Sequence, residues 1–430
     1  MADDRPDVPQ DFSPGYKRFA LALLTAVYAL NFIDRQILVI LQEPIKAEMA
    51  LSDAQLGLLS GFAFAVVYVT AGIPIAYWAD RGNRKNIISL AVVIWSGMTA
   101  ISGYAQNYTQ LLLARIGVGI GEAGGSPPAH SMISDYYPPE HRATALSIYS
   151  TGIYVGILFG FLFGGVIAQA FGWRTAFLVV GLPGVLFGIA LKFLLREPLR
   201  GRWESDSDQT KKSSLRETIE LVKHRPSFWY LALGSAFVSF VAYGNGNFVP
   251  SFLIRNHELS LAQVGTALAL VSGVSGAIGT FAGGYLSDRF GKRDQRWYVW
   301  VPMLGVLVGY LPYCYVLITD HTPSALTILF FAGIATSFYL GPCIAMSHAL
   351  VRPSMRAMIS AVLFFILNMI GLGLGPFLTG LVSDILASNY GEESLRYSML
   401  ITTQMMLLSG LMFAMAGKHL LKDLKQNAAT

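Results

Sequence analysis

Twelve long apolar runs recur along the chain, at residues 17–41, 54–79, 86–104, 109–132, 142–170, 174–195, 227–254, 262–287, 297–318, 324–350, 355–388 and 395–420. An apolar stretch of about 18 residues crosses the hydrocarbon core of a bilayer as a helix. These runs, numbered spans 1 to 12 in chain order, are too long and continuous for a barrel, whose strands alternate over about ten residues. Charged residues make up 13% of the chain and hydrophobic ones 53%. A soluble surface needs about twice that share of charge. Disorder, a collagen repeat and a disulfide scaffold are excluded by the same figures. Cys314 and Cys343 both sit in apolar runs and cannot build a framework. The expectation is an all-α integral membrane protein with twelve transmembrane helices.

Loop charge sets the orientation. The loops on the side of the termini hold 24 Lys and Arg, against four (Lys46, Arg174, Arg255, Arg396) on the other side. Both termini are therefore expected in the cytoplasm, with the chain in the cell inner membrane. Residues 1–16 carry Asp3, Asp4, Asp7 and Asp11 and are read as a cytoplasmic tail, not a secretory signal. The only long connection, 196–226, divides a six-span unit at 17–195 from another at 227–421, with a tail at 422–430. Ser214-Leu215-Arg216-Glu217 fits a capping box, and Leu215, Ile219 and Val222 form an apolar stripe, so the linker is expected to hold a short interfacial helix.

The two units repeat. Asp80-Arg81-Gly82-Asn83-Arg84-Lys85 follows span 2, and Asp288-Arg289-Phe290-Gly291-Lys292-Arg293 follows span 8, 208 residues later. Pro128, Pro139, Arg142 and Ala143 match Pro342, Pro353, Arg356 and Ala357 at a spacing of 214. A parallel duplication of six spans is a common transporter plan. An Asp at a helix end can sit against the positive N-terminus of a neighbouring helix. Asp80, Arg81, Arg84, Arg142, Asp288, Arg289 and Arg356 are thus read as gating residues of the basic side.

The Gly72–Lys85 stretch and its partner after span 8 resemble the signature of the major facilitator superfamily. The resemblance implies two pseudo-symmetric six-helix bundles that rock about a central cavity in alternating access.

Charges inside spans cost about 2.5–3.5 kcal/mol each on insertion scales and mark functional sites. Four stand away from span ends: Asp34 and Arg35 in span 1, Arg115 and Glu122 in span 4. Asp34 and Arg115 lie about 10 Å from the outer ends of their spans and so at one level. Glu122 shares a helical face with Arg115, roughly 10 Å deeper. Arg115 is the expected anion site, Glu122 the principal proton site and Asp34 the second. Lys192 is near a span end and can snorkel.

Asn31-Phe32-Ile33-Asp34-Arg35 and Arg115-Ile116-Gly117-Val118-Gly119-Ile120-Gly121-Glu122-Ala123 resemble the Spinster branch of that superfamily, as does Pro139–Ile148. Spinster proteins are lipid transporters, associated with lysophospholipids and sphingosine 1-phosphate. That implies a cavity with Arg115, Arg35 and Asn31 for a charged head and Phe62 and Tyr68 for a tail. Tyr243–Phe248, with Asn245 and Asn247, is read as a polar break that bends span 7 and adds to the substrate site.

Gly119–Gly124 spells a dinucleotide fingerprint, but it lies inside a spanning helix rather than after a strand. Gly152, Gly156, Gly160 and Gly164 are read as a packing ladder. His130, His348 and Asn368 are read as structural. No nucleotide site is legible, so energy must come from a gradient. The reading is a proton-coupled secondary transporter of amphipathic anionic lipids, needing no cofactor beyond the proton gradient. Its partners are the lipid substrate, protons and the bilayer, with no nucleic acid, and it acts as a monomer. The alternatives are a transporter of small organic anions or drugs, a membrane enzyme, and a passive channel or scramblase.

Overall fold

Proline and glycine decide where the apolar runs begin and break. A computed structural model describes residues 12–203 and 215–428 of the chain. The acidic residues Asp3, Asp4, Asp7 and Asp11 and the Ser214 cap lie outside them. The described residues form helices and no strand. Span 1 is Pro14–Ile40, span 2 Asp53–Arg81, span 3 Arg84–Ser102, span 5 Pro139–Phe171 and span 6 Trp173–Leu194. Span 7 is Pro226–His257, span 8 Leu261–Gly291, span 9 Trp297–Ile318 and span 10 Thr322–Ala349. The stretch Arg356–Gln426 reverses at Gly391, whose φ of +53° suits a residue without Cβ, and so crosses twice as spans 11 and 12. Span 4 is split into Tyr108–Glu122 and Ser126–Tyr136.

That split follows from Gly124-Gly125-Ser126-Pro127-Pro128. Two prolines cannot donate back into the preceding turn, but they suit the first turn of a new helix. Span 10 breaks likewise between Thr336 and Leu340, just before Pro342. Pro342 is the repeat partner of Pro128, so the duplication reappears as a pair of broken helices. Span 7, by contrast, is helical throughout Pro226–His257. The expected break at Tyr243–Phe248 is absent because its polar side chains are satisfied without opening the backbone. Spans 2, 8 and 11 contain wide π-helical turns at Leu58–Phe62, Ala269–Val274 and Leu367–Leu374.

Spans 1–6 pack together, as do spans 7–12. One hydrophobic core belongs to the second bundle together with the linker helix, and another mainly to the first bundle. A third, with Ile37, Leu59, Phe161, Phe248, Phe252 and Leu268, joins both bundles at the face opposite the termini. The bundles are thus fastened at that opposite face.

The glycine ladder packs span 5 against span 1. A Cβ at Gly152, Gly156, Gly160 or Gly164 would meet Thr25, Ala29, Gln36 or Ile40 at 2.4–2.8 Å. At Gly156 the obstacle is the Ala29 carbonyl oxygen, 2.4 Å away, which belongs to the backbone and cannot turn aside. Gly156→Leu is expected to cost about 1–3 kcal/mol or more by overpacking. Gly246→Ala, where nothing lies within 4 Å, should be close to neutral. Thermal unfolding of the two purified variants checks this.

The linker helix forms at Leu215–Lys223 and packs against spans 7 and 11. It buries Thr218 and Val222, while Ile219 is 39% exposed, so Ile219 does not join the expected inward stripe.

Candidate functional site

Span 1 and the first half of span 4 bring the four intramembrane charges together. Asp34, Arg115 and Glu122 are buried, each at most 2% exposed. The pairing differs from that expected by depth. Arg35 Nε donates to Glu122 Oε2 at 2.8 Å, forming the ion pair of the cluster. Arg115 lies close enough to Glu122 and Asp34 to be attracted to both. Its Nε and Nη1 nevertheless have no hydrogen-bond partner, nor do Asp34 Oδ1 and Glu122 Oε1. The Trp95 indole and the Thr99 hydroxyl face Asp34, but neither makes a hydrogen bond of good geometry. Four charges therefore share one made bond. Unpaired buried charge is costly, so this arrangement is poised to rearrange or take up a ligand.

Arg35 is the cation that reaches the open space, with 19% of its side chain exposed. Its guanidinium carbon lies 5.2 Å from the Phe32 ring, 4.9 Å from Phe64 and 5.4 Å from Tyr68. Such faces attract a guanidinium and leave its edge free for bidentate bonding. Arg115, expected as the anion contact, is instead enclosed behind this group. Tyr243 of span 7 is near enough to Arg35 and Tyr68 to interact with them, so the second bundle meets the site through a phenol rather than a charge. Tyr28 stacks on Tyr149 at 4.5 Å, and His130 lies edge-on to Tyr149 at 5.2 Å.

The remaining candidates divide. Asn31 is 5% exposed on span 1 beside the cluster. Phe62 is 39% exposed, with its ring 6.2 Å from Phe377 of span 11. Asn245 is fully buried and stands apart from the charge cluster. It donates to the Met399 carbonyl and Thr403 Oγ1, and accepts from Thr402 Oγ1 at 2.7 Å. It joins span 7 to span 12. Asn247 donates to the Tyr243 carbonyl one turn back in its own helix, at 2.6 Å. His348 bonds Ser360 at 2.6 Å within the second bundle.

At the basic face the residues expected to gate bond within their own bundle or to the linker beside it. Arg84 is fully buried and joins Asp135, Glu197, Ser131 and the Pro198 carbonyl. Arg200 of the linker closes the end of span 2 on the carbonyls of Ala79, Asp80 and Gly82. Arg81 stacks on Tyr77 at 3.8 Å, and Arg142 donates to the Ser134 carbonyl. Asp288 accepts from the Tyr298 hydroxyl and Arg289 donates to that of Tyr285. Asp80 and Arg356 are exposed. No hydrogen bond between described residues ties these groups across the bundles.

The charged groups that join the two bundles lie at the opposite face, on residues the sequence reading passed over. Arg255, near the end of span 7, donates to both carboxylate oxygens of Glu43 and of Asp53 at 2.6–3.0 Å. Lys46 and Ser383 also bond Asp53. The Asp384 carboxylate of span 11 accepts from the N–H groups of Asp53 and Ala54, each at 2.9 Å. This is an acid against a helix N-terminus, as expected for Asp80, but at the other end of the molecule. A sequence signal existed. Ser52-Asp53-Ala54-Gln55-Leu56-Gly57 and Ser260-Leu261-Ala262-Gln263-Val264-Gly265 stand 208 apart. Each opens with a capping box. Each glycine meets the facing bundle: a Cβ at Gly57 would lie 2.2 Å from the Pro376 oxygen, and one at Gly265 2.4 Å from that of Phe161.

Known proteins share this architecture. The Major Facilitator Superfamily model matches residues 24–376. A solved bacterial homolog of the human lysosomal transporter Spinster, in an inward-facing, unoccupied conformation, superposes with a TM-score of 0.88. It is 36% identical, over 96% of this chain and 99% of that one. An MFS-type efflux pump of Mycolicibacterium smegmatis is 34% identical over 95% of this chain and 94% of its own length. A sphingosine-1-phosphate transporter of Xenopus tropicalis is 27% identical over 96% of this chain and 84% of its own. With twelve spans in two bundles, the D-R-G-N-R-K loop and the paired charges of spans 1 and 4, the chain belongs to the major facilitator superfamily and, within it, to the Spinster-type transporters.

Proposed function

We propose that the protein is a proton-coupled secondary transporter of amphipathic anionic lipids, of lysophospholipid or sphingosine-phosphate type, acting as a monomer in the inner membrane with its basic face in the cytoplasm. The supporting observation is the one-sidedness of the site. Its charges all come from spans 1 and 4, and the second bundle faces them with Tyr243 and apolar side chains. A cation within aromatic walls suits a ligand with one charged head and a long tail. Arg35 can serve Glu122 or a substrate anion, but not both at full strength. A proton on Glu122 releases Arg35 to the head group, and loss of that proton re-forms the ion pair and expels it. Asp34 and Arg115 supply the second pair through which the charge is redistributed.

The resemblance to an efflux pump favours a second reading, transport of small organic anions or drugs. Uptake into proteoliposomes under an imposed pH gradient separates the two. Lysolipid should accumulate, and a panel of small acids and drugs should not. Arg35→Lys keeps the charge but loses the planar fork and the stacking, and should lower lipid uptake about ten-fold or more in a folded protein. Arg115→Lys should do the same without weakening lipid binding, because its side chain is enclosed. Small acids accumulating while lysolipid does not would overturn the lipid reading.

A further inference from the structure

Spans 8, 9 and 10 enclose a groove of about 300 Å³, remote from the charge cluster. Its floor is the contact of Gly305 with Ala335, where a Cβ on the glycine would lie 2.4 Å from the Ala335 oxygen. Its walls stand up on either side, with Val308 65% and Phe331 63% exposed. Phe290 and Trp297, with ring centres 4.8 Å apart, form the end nearest the basic face. From Trp297 to Val308 the groove runs eleven residues, about 16 Å of helix, close to half of a roughly 30 Å hydrocarbon core. It therefore spans one leaflet.

Lys292 and Arg293 follow Phe290 in the turn at the mouth. Both are exposed, and among the described residues neither side chain makes an ion pair or hydrogen bond, although both backbone N–H groups turn back to the Phe290 carbonyl. The acids nearby are engaged elsewhere: Asp294 by Arg296 at 2.7 Å, and Asp288 by the Tyr298 hydroxyl at 2.7 Å. Arg289 adds a further cation, with one bond to the Tyr285 hydroxyl. An apolar slot one leaflet deep under two free cations matches a lipid with an acyl tail and an anionic phosphate. We propose that this groove holds one acyl chain of an anionic phospholipid from the leaflet at the basic face, with its phosphate on Lys292 and Arg293. All three walls belong to one bundle, so the site stays intact as the bundles rock. The lipid is a resident of the second bundle and not cargo.

The test is native mass spectrometry of the purified full chain, supplied with phosphatidylglycerol and phosphatidylcholine of identical tails. The wild type should retain phosphatidylglycerol preferentially. Each cation near a membrane surface is worth about five-fold, so Lys292→Ala with Arg293→Ala should cut the preference by roughly 30-fold. Val308→Trp, which fills the groove from an exposed position, and Phe331→Ala, which removes a wall, should each lower retention of both lipids while preserving any residual preference. Equal retention of the two lipids by the wild type overturns the proposal. So does a double variant with undiminished preference, or unchanged retention in both groove variants. Arg35→Lys should leave the retained lipid unchanged, and loss in that variant would place the lipid in the transport site instead.

Discussion

Glu122→Gln is expected to abolish proton-driven accumulation of substrate while leaving exchange across the membrane partly intact. A glutamine fills the same space and can still accept from Arg35 Nε, but it carries no charge and takes up no proton. The bond from the Arg35 cation remains charge-assisted, but the attraction between opposite charges is gone, so Arg35 should be released more readily. The variant should behave as the protonated protein at every pH. Distances between labels on the two bundles, followed from about pH 4.5 to 8, should shift in the wild type and stay flat in the variant. Asp34→Asn is the comparison. Should Glu122→Gln keep the wild-type midpoint while Asp34→Asn loses it, the coupling proton resides on Asp34.

Arg255→Ala should move the protein out of the conformation described here. Arg255 is the cation that ties span 7 to both Glu43 and Asp53, with 12% of its side chain exposed. Removing one partner of a buried pair costs about 3–5 kcal/mol, because the other charge is left behind. Lys46 still holds Asp53, and Glu43 is 18% exposed, so part of that is recovered. A net loss of roughly 2 kcal/mol is expected, which shifts the balance between the two forms about 30-fold. Spin labels at Ala50→Cys and Asn389→Cys report the opening at this face, once Cys314 and Cys343 have been replaced. Arg255→Lys should fall between, since a point charge cannot bond two carboxylates bidentately. An unchanged distance distribution in Arg255→Ala would assign the closure to the contacts that remain, those of Asp384 and Ser383 with the start of span 2 and the glycine contacts at Gly57 and Gly265.

The two halves of the site were not equally legible. Asp34, Arg35, Arg115 and Glu122 stand out because each is a charge inside an apolar run, an exception visible one residue at a time. Their pairing was not visible. Depth along straight helices put Arg115 level with Asp34, whereas the ion pair forms between Arg35 and Glu122. Rise per residue fixes height but not which neighbour a long guanidinium turns toward. The face a side chain occupies depends on how spans 1, 2 and 4 pack around Phe64 and Tyr68. Asn245 shows the same limit from the other side. A buried asparagine reads as a binding group until span 12 supplies Met399, Thr402 and Thr403 from more than 150 residues away.

Chain-local physics accounts for the membrane class, the number of crossings and the duplication. A bilayer selects long apolar helices by length alone, and a repeated loop stays repeated wherever it folds. The same local rules place the broken helices at Pro127-Pro128 and Pro342, and the close packing of spans 1 and 5 along the glycine ladder. Which face holds the two bundles together belongs to the tertiary structure. Asp80 and Asp384 are both acids near the ends of spans, with the same chemistry available to them. Only the packing of the bundles brings Asp384 onto the N-terminus of span 2 and leaves Asp80 without a partner across the gap. That outcome is a balance of many weak contacts between surfaces distant in sequence. No single segment encodes it, because each segment contributes only half of every contact.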